Sequence, residues 1–492
     1  MNSHGNPHLA GGKTKRAIAK NFLWLFFGGT GSRFLKALII LYAARVLGAE
    51  GYGIFSYALA LGGLFIFFKN IGVDTILTRE VAKKKEKEEE SRHFATSLWI
   101  EFGLLAITAL AIIFIAPLLS TVKAATLLLP LVVLVLIFDD LRDFFVAYFR
   151  GKERMELEAL ALAVANVAMV GLGLLALHLF GTPFAFMVAY AAASALSVVA
   201  IIGFLKPVIF NIVRDFTKEK VLPILNASWP LAVGGFASVF LFNVDIVMLG
   251  WWRTPDDIGL YSAAQRLVGI SAFFSGLVAT ATFPALSRFA RNEAKEQFKT
   301  LFEGAVRIIL LISIPFAAGG LVLGKSLIGF IFGPDFVPSF TVFAIFLFSV
   351  LVIHPMPIFS NLILAFNKQA KTVFYAFIAA FLNIVLNIIL IPPYGIVGAA
   401  ITTLIAFLVY NILFWRFSKK LADYQILSGL PKILLSAILM GLFAFTLQYA
   451  GIHVLVNVII SSAFYFAALH FLKEKTLTEA IDLVQHLRST KT

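Results

Sequence analysis

Long uninterrupted runs of apolar residues recur along the whole chain, broken by short charged clusters or by glycine and proline. A helix crossing a bilayer needs about 20 such residues, because lipid offers no water to its backbone N–H and C=O groups. The runs predict spans near 20–44, 53–72, 94–116, 124–149, 158–180 and 183–205. A second set follows near 226–251, 259–284, 304–324, 339–364, 372–391, 396–416, 431–450 and 452–472. The fold class expected is an all-α polytopic membrane protein with about 14 transmembrane helices.

Charge sorts the connecting loops. With the N-terminus placed in the cytoplasm, the tails and the even-numbered loops hold most of the 41 basic residues, among them Lys83, Lys84, Lys85, Lys152, Arg214, Lys220, Arg291, Lys368, Lys419 and Lys473. The odd-numbered loops hold Arg45, Lys123, Arg253 and Lys325. Basic residues are retained on the cytoplasmic side of short loops, so the alternation supports the count and places both termini in the cytoplasm. The expected location is the plasma (inner) membrane. Lys13, Lys15, Arg16 and Lys20 lead straight into a long apolar run, which predicts an uncleaved first helix. From Thr476 onward a capping box (Thr476 with Glu479) and apolar Leu477, Ala480, Ile481, Val484 and Leu487 predict a surface helix in the C-terminal tail.

Composition narrows the function classes. Hydrophobic residues make up 60% of the 492 and charged residues 14%, where a soluble domain carries about 25% charged. Odd-numbered loops of at most about fifteen residues leave no room for an external catalytic domain, so a membrane glycosyltransferase or polymerase is not expected and the chain is not read as an enzyme. No cysteine is present, which removes disulfides, thiolate metal sites and cysteine nucleophiles, and no metal site is expected. The net charge of +14 lies in short loops rather than on one face, so no nucleic-acid partner is expected. The segment "GGLVLGKS" at 319–326 satisfies the phosphate-loop pattern, but it ends an apolar span where that pattern needs a strand before it, and nucleotide binding is not expected.

The two halves echo each other. "GYGIFSYALA" at 51–60 aligns with "DIGLYSAAQR" at 257–266, pairing Gly53 with Gly259, Phe55 with Tyr261 and Ser56 with Ser262. "RGKER" at 150–154 aligns with "FNKQA" at 366–370, and Asn166 with Asn383. Units of six spans keep one orientation, so two six-helix bundles related by a pseudo-twofold along the membrane normal are expected, plus two C-terminal helices. The organisation predicted is a basic N-terminus (1–19), an N-terminal bundle (20–205), a cytoplasmic linker (206–225), a C-terminal bundle (226–416), transmembrane helices 13 and 14 (417–472) and a cytoplasmic tail (473–492).

Three segments carry a family resemblance: "ARVLGAEGYGIFSYA" at 44–58, "NVDIVMLGWWRTPDDIGLYSAA" at 243–264 and "NIVLNIILIPPYGIVGAAITT" at 383–403. In order and spacing over the whole chain, they resemble the polysaccharide transporter branch of the multidrug/oligosaccharidyl-lipid/polysaccharide (MOP) exporter superfamily. The resemblance implies a flippase that moves isoprenoid-linked oligosaccharides from the inner to the outer leaflet by alternating access. Its partners would be the lipid-linked substrate, membrane lipid, and glycosyltransferases or a polymerase of the same pathway. Two rivals stay open, a flippase for lipid II or teichoic-acid precursors and a cation-coupled multidrug exporter of the same superfamily. The second usually has twelve spans.

A charge at mid-bilayer costs about 2.5–3.5 kcal/mol on insertion scales, so each one within a span should face protein or water. Arg33 and Lys36 share one face of the first span, and the expectation is that they contact the substrate's phosphate. The plainer alternative is that they neutralise acidic neighbours or snorkel. Asp245 and Arg266 lie at similar depth in spans 7 and 8. An ion pair is the simpler expectation, and a Na+ or H+ coupling site at Asp245 the sharper one. Lys69, Glu101, Asp139, Asp140, Arg142 and Asp143 gather in the cytoplasmic half, as an inner gate or as a static network. Asn383 and Asn387 share a face of span 11 and are expected to hydrogen-bond between helices. His354, beside Pro355 and Pro357, is expected to mark a broken helix rather than a proton relay. No cofactor beyond a coupling ion is expected.

Overall fold

The computed structural model describes residues 32–474 apart from positions 70, 84, 85, 293, 427 and 428, with backbone alone at 32, 33, 207, 230–238 and 242. The basic N-terminus and the capping-box helix from Thr476 lie outside the described residues. Every regular element among those described is helical.

The chain divides into two units, Met1–Asn243 and Val244–Thr492, with the division inside one long helix. In the first unit, α1 (Ser32–Leu64) is broken at Gly48, whose φ of 69° is a conformation that L side chains rarely adopt, and thus joins two expected spans. α2 (Val73–Lys83) is short and amphipathic and buries Val73, Ile76, Leu77 and Val81 at helical spacing. α3 (Lys87–Phe114) opens on Glu88, Glu89 and Glu90, which suit the positive end of its dipole. α4 (Leu129–Gly151) and α5 (Met155–Leu179) follow. α6 (Pro183–Ile202) starts with the Thr182 side chain accepting from the Ala185 N–H and with proline in its first turn. Phe94, Leu98, Phe144, Phe149 and Leu157 form the core of this unit with the buried face of α2.

The dividing helix is α7 (Val221–Trp252). In the second unit, α8 (Pro255–Arg291) is capped by Thr254, and α9 (Lys295–Phe332) runs without a break through "GGLVLGKS", so no phosphate-binding loop exists there. α10 (Phe340–Ile353) ends at His354, and α11 (Met356–Ala365) begins after Pro355, a broken helix as the prolines imply. α12 (Ala370–Leu421) joins two expected spans across Gly395, at φ 58° and ψ −134°. α13 (Leu430–Tyr449) and α14 (Val454–Phe471) are the last described helices and pack on α9 through Leu323, Ala444 and Val454.

Among the described residues, ten helical segments are long and apolar enough to cross a membrane. α4 is of similar length but carries Asp139, Asp140, Arg142 and Asp143 in its second half. Large apolar side chains point outward along these helices, including Leu110, Leu175, Ile438, Leu442 and Phe445, while serines, asparagines and carboxylates such as Ser197, Asn383 and Glu101 are buried. A soluble monomer exposes apolar patches of a few hundred Å² at most, so this distribution belongs to a chain solvated by lipid. The protein is an all-α, multi-pass membrane protein.

Candidate functional site

A buried polar cluster lies in the C-terminal unit. Asp245 on α7 is 1% exposed, yet no cation faces it among the described residues. Its Oδ1 accepts from Asn387 Nδ2 at 2.6 Å, and its Oδ2 accepts from Tyr261 Oη at 2.9 Å and Thr403 Oγ1 at 2.5 Å. Asn387 Nδ2 also reaches Asn383 Oδ1 at 3.1 Å. The five side chains come from α7, α8 and the two halves of α12, and all are buried. In an unbroken helix, sixteen residues of rise would separate Asn387 from Thr403 by about 24 Å. They meet at one carboxylate because the chain reverses between Pro392 and Gly398. The turn is tight, since a Cβ on Gly398 would collide with the Leu390 carbonyl oxygen.

Arg253, on the connection from α7 to α8, holds this reversal. Its Nη2 donates to the carbonyls of Ile391 at 3.0 Å and Pro392 at 2.7 Å, which lose their helical partners where the chain breaks at Gly395. A Cβ on Gly395 would come within 2.9 Å of the guanidinium, so glycine is required there by contact as well as by φ.

The expected pair of Asp245 with Arg266 does not form. Tyr261 meets the carboxylate, and Arg266 lies five residues further along α8, about 7.5 Å on and turned through about 140°. The expected register of the hairpin is therefore off along the helix as well as around it. Asn387 makes the expected bond between helices, to Asp245, whereas Asn383 bonds to Asn387 of its own helix. Asn387 Oδ1 and Asn383 Nδ2 have no hydrogen-bond partner. Rotation of the Asn387 amide would therefore turn an unused oxygen toward the carboxylate. Carboxylate, amide and hydroxyl oxygens in one buried spot suit a hard cation. No group of three or more His, Cys, Asp or Glu that could hold a metal ion occurs among the described residues.

Elsewhere in this unit, His354 is buried between helices, with Nε2 3.1 Å from Ser271 Oγ on α8 and Nδ1 2.8 Å from Ser313 Oγ on α9. The bonds hold the end of α10 against its neighbours.

In the N-terminal unit the charges expected to gather fall into two networks. Lys69 Nζ lies 2.9 Å from Asp140, 3.4 Å from Glu101 and 3.8 Å from Asp74. Arg142 instead bridges Asp139 at 2.6 Å and Asp143 at 2.9 Å along its own helix. Asp74 was not anticipated. It stands on α2, past the expected end of span 2, and desolvation by burial raises its carboxyl pKa. Further along, Tyr148 donates to Glu90 at 2.6 Å, Lys152 pairs with the same carboxylate, and Lys220 pairs with Glu89 at 3.0 Å, tying together α3, α4 and the segment leading into α7.

Of the expected cationic pair, Lys36 is half-buried and donates to Tyr190 Oη on α6 at 2.7 Å. Arg33 lies in the first turn of α1, and its side chain is outside the described residues. Tyr190, Tyr261 and Thr403 were not anticipated as site residues. Tyr261 and Thr403 do fall within segments that carry the family resemblance.

Polar clusters buried within apolar, broken helices are the build of a membrane transporter rather than of a membrane-anchored enzyme. The chain belongs to the polysaccharide biosynthesis protein family, whose profile matches residues 18–290. It is 23% identical to the probable low-salt glycan biosynthesis flippase Agl15 of Haloferax volcanii over 396 residues, which is 80% of this chain and 82% of that protein. It is 21% identical to the capsular polysaccharide biosynthesis protein CapF of Staphylococcus aureus over 408 residues, 82% of this chain and all of the relative. A solved structure, the inward closed conformation of the lipid II flippase MurJ, superposes with a TM-score of 0.70 at 18% identity, covering 90% of this chain and 98% of that one. At that identity the likeness is one of fold.

Proposed function

We propose that this protein is a flippase that carries isoprenoid (pyro)phosphate-linked oligosaccharide or polysaccharide precursors from the cytoplasmic to the outer leaflet by alternating access. The observation that carries this reading is that relatives named for glycan flipping and capsule synthesis align with more than three-quarters of the chain. The likeness in fold to a lipid II flippase favours one second reading, in which the cargo is a lipid II or teichoic-acid precursor. Both cargos present the same problem, a phosphate and a polar glycan crossing lipid while the isoprenoid stays in it.

On this reading the chain sits in the plasma (inner) membrane with both termini cytoplasmic. About 14 spans form two six-helix bundles related by a pseudo-twofold, with the last two helices added. The domain bounds given above (20–205 and 226–416) go with it, as do glycosyltransferases or a polymerase as pathway partners. Arg33 and Lys36 contact the substrate phosphate. The two networks, Lys69 with Glu101 and Arg142 with Asp139 and Asp143, act as a cytoplasmic gate. Asp245, with Asn387 and Thr403, takes up a coupling Na+ or H+. The reversal in α12 makes such a site sensitive to helix movement, because its ligands stand on both sides of the break.

The test is Arg33→Ala, read by an outer-leaflet glycolipid assay in cells beside a blot of membrane fractions. Loss of export at normal protein level is expected, with Arg33→Lys keeping part of the function because charge survives while the bidentate fork is lost. Normal export by well-expressed Arg33→Ala would remove the phosphate-contact role. Export of no lipid-linked glycan by the unaltered protein would remove the flippase reading itself.

A further inference from the structure

Lys69 is one ammonium among three carboxyl groups, Asp74, Glu101 and Asp140, all within 4.0 Å of it. Neighbouring cations are engaged elsewhere: Arg142 with Asp139 and Asp143, Arg150 with Glu158, and Lys152 with Glu90. With all three acids ionised, the cluster would hold two uncompensated negative charges within an apolar unit. A buried carboxyl group in that position takes up a proton instead.

Geometry selects which one. Asp140 holds the nearest contact with the ammonium, and the Asp74 side chain is 33% exposed, with only Oδ1 of its two oxygens buried and without a partner. Glu101, in the middle of α3, is 0% exposed. Neither of its oxygens has a hydrogen-bond partner, and the Lys69 ammonium approaches Oε1 at 3.4 Å without hydrogen-bond geometry. An ionised carboxylate ordinarily collects several donors, whereas a neutral acid needs fewer.

We propose that Glu101 is a proton-binding site of the N-terminal unit, protonated in the arrangement described here, and that it releases its proton to water when the Lys69 ammonium moves from Asp140 onto it. In that step the Glu101 O–H bond breaks and the electron pair stays on the carboxylate, which the ammonium then compensates. Asp140, 14% exposed, is left to solvent. The site lies outside the Asp245 cluster and stands without it. It adds a chemistry to the Lys69 network and does not depend on that network's role as a gate.

The experiment compares infrared spectra of the full-length chain and Glu101→Gln, each purified and reconstituted in phosphatidylcholine vesicles at neutral pH, where an ordinary glutamate is ionised. The difference spectrum is expected to contain a protonated-carboxyl C=O band present in the wild type and lost in the variant. A difference showing only ionised carboxylate would overturn the proposal. Glutamine is isosteric with the neutral acid, so the variant should accumulate at wild-type level with an unchanged Tm. Failure to accumulate would mean that the fold requires the charged form, and would overturn the proposal equally. Asp245→Asn should leave this band in place whatever it does to ion dependence, which separates failure here from failure of the Asp245 reading.

Discussion

The two units hold buried carboxylates in opposite ways. Asp245 is surrounded by neutral donors from a tyrosine, a threonine and an asparagine, with no ion pair, whereas Glu101 and Asp140 crowd a single lysine. Neutral donors stabilise a carboxylate without cancelling its charge, so a site of the first kind keeps its attraction for a cation. A site of the second kind is already compensated in part, and what it exchanges is a proton or a partner. The difference is between a group built to receive an ion and a group built to be neutralised from within.

Removing the central charge of each cluster should break this comparison most sharply. Lys69→Met strands buried carboxyl groups and is expected to cost about 3–5 kcal/mol, seen as loss of protein from membrane fractions. Asp245→Asn removes a charge that no cation balances, so its level should be unchanged while dependence of export on Na+ or pH disappears. Equal losses of protein in the two variants would erase the distinction.

The next effect is expected at the reversal in α12. Gly395→Ala puts a Cβ against the Arg253 guanidinium at a positive φ, and should lower stability by about 1–3 kcal/mol in a thermal melt, with cation dependence weakened alongside. Arg253→Ala should reproduce that weakening, and an unaffected ion response in both would separate the reversal from the site. Smaller again, Thr403→Val removes one hydroxyl from the Asp245 cluster and should shift the cation midpoint several-fold, about 1 kcal/mol, with no change in level. The least effect is expected from Tyr190→Phe, which removes the Lys36 hydrogen bond but keeps the ring 4.2 Å from the ammonium; export should fall less than twofold, about 0.4 kcal/mol.

Much of the fold was legible because lipid imposes a long and simple signal. The breaks at Gly48, Gly395 and Pro355 fall where glycine and proline interrupt apolar runs. The partners within the sites were not legible. Spacing set Asp245 level with Arg266, whereas Tyr261, five residues earlier on α8, holds the face toward α7. Asp139 and Asp143 share a face as their spacing implies, and the intervening Arg142 takes both. Arg253 stood out only as a basic residue in a loop between spans, because a cation that satisfies backbone carbonyls leaves no partner for a charge pattern to find.

The tight turn in α12 also limits what can be attached to the protein. A surface loop between two helices is the usual choice for an epitope or fluorescent tag, and the stretch from Pro392 to Gly398 looks like one in sequence. Here the two chain segments touch immediately beyond it, and the carbonyls before it are held by a side chain from another connection. A tag inserted at Tyr394 would pry apart residues that share one carboxylate, and a reporter placed there would record a disabled protein.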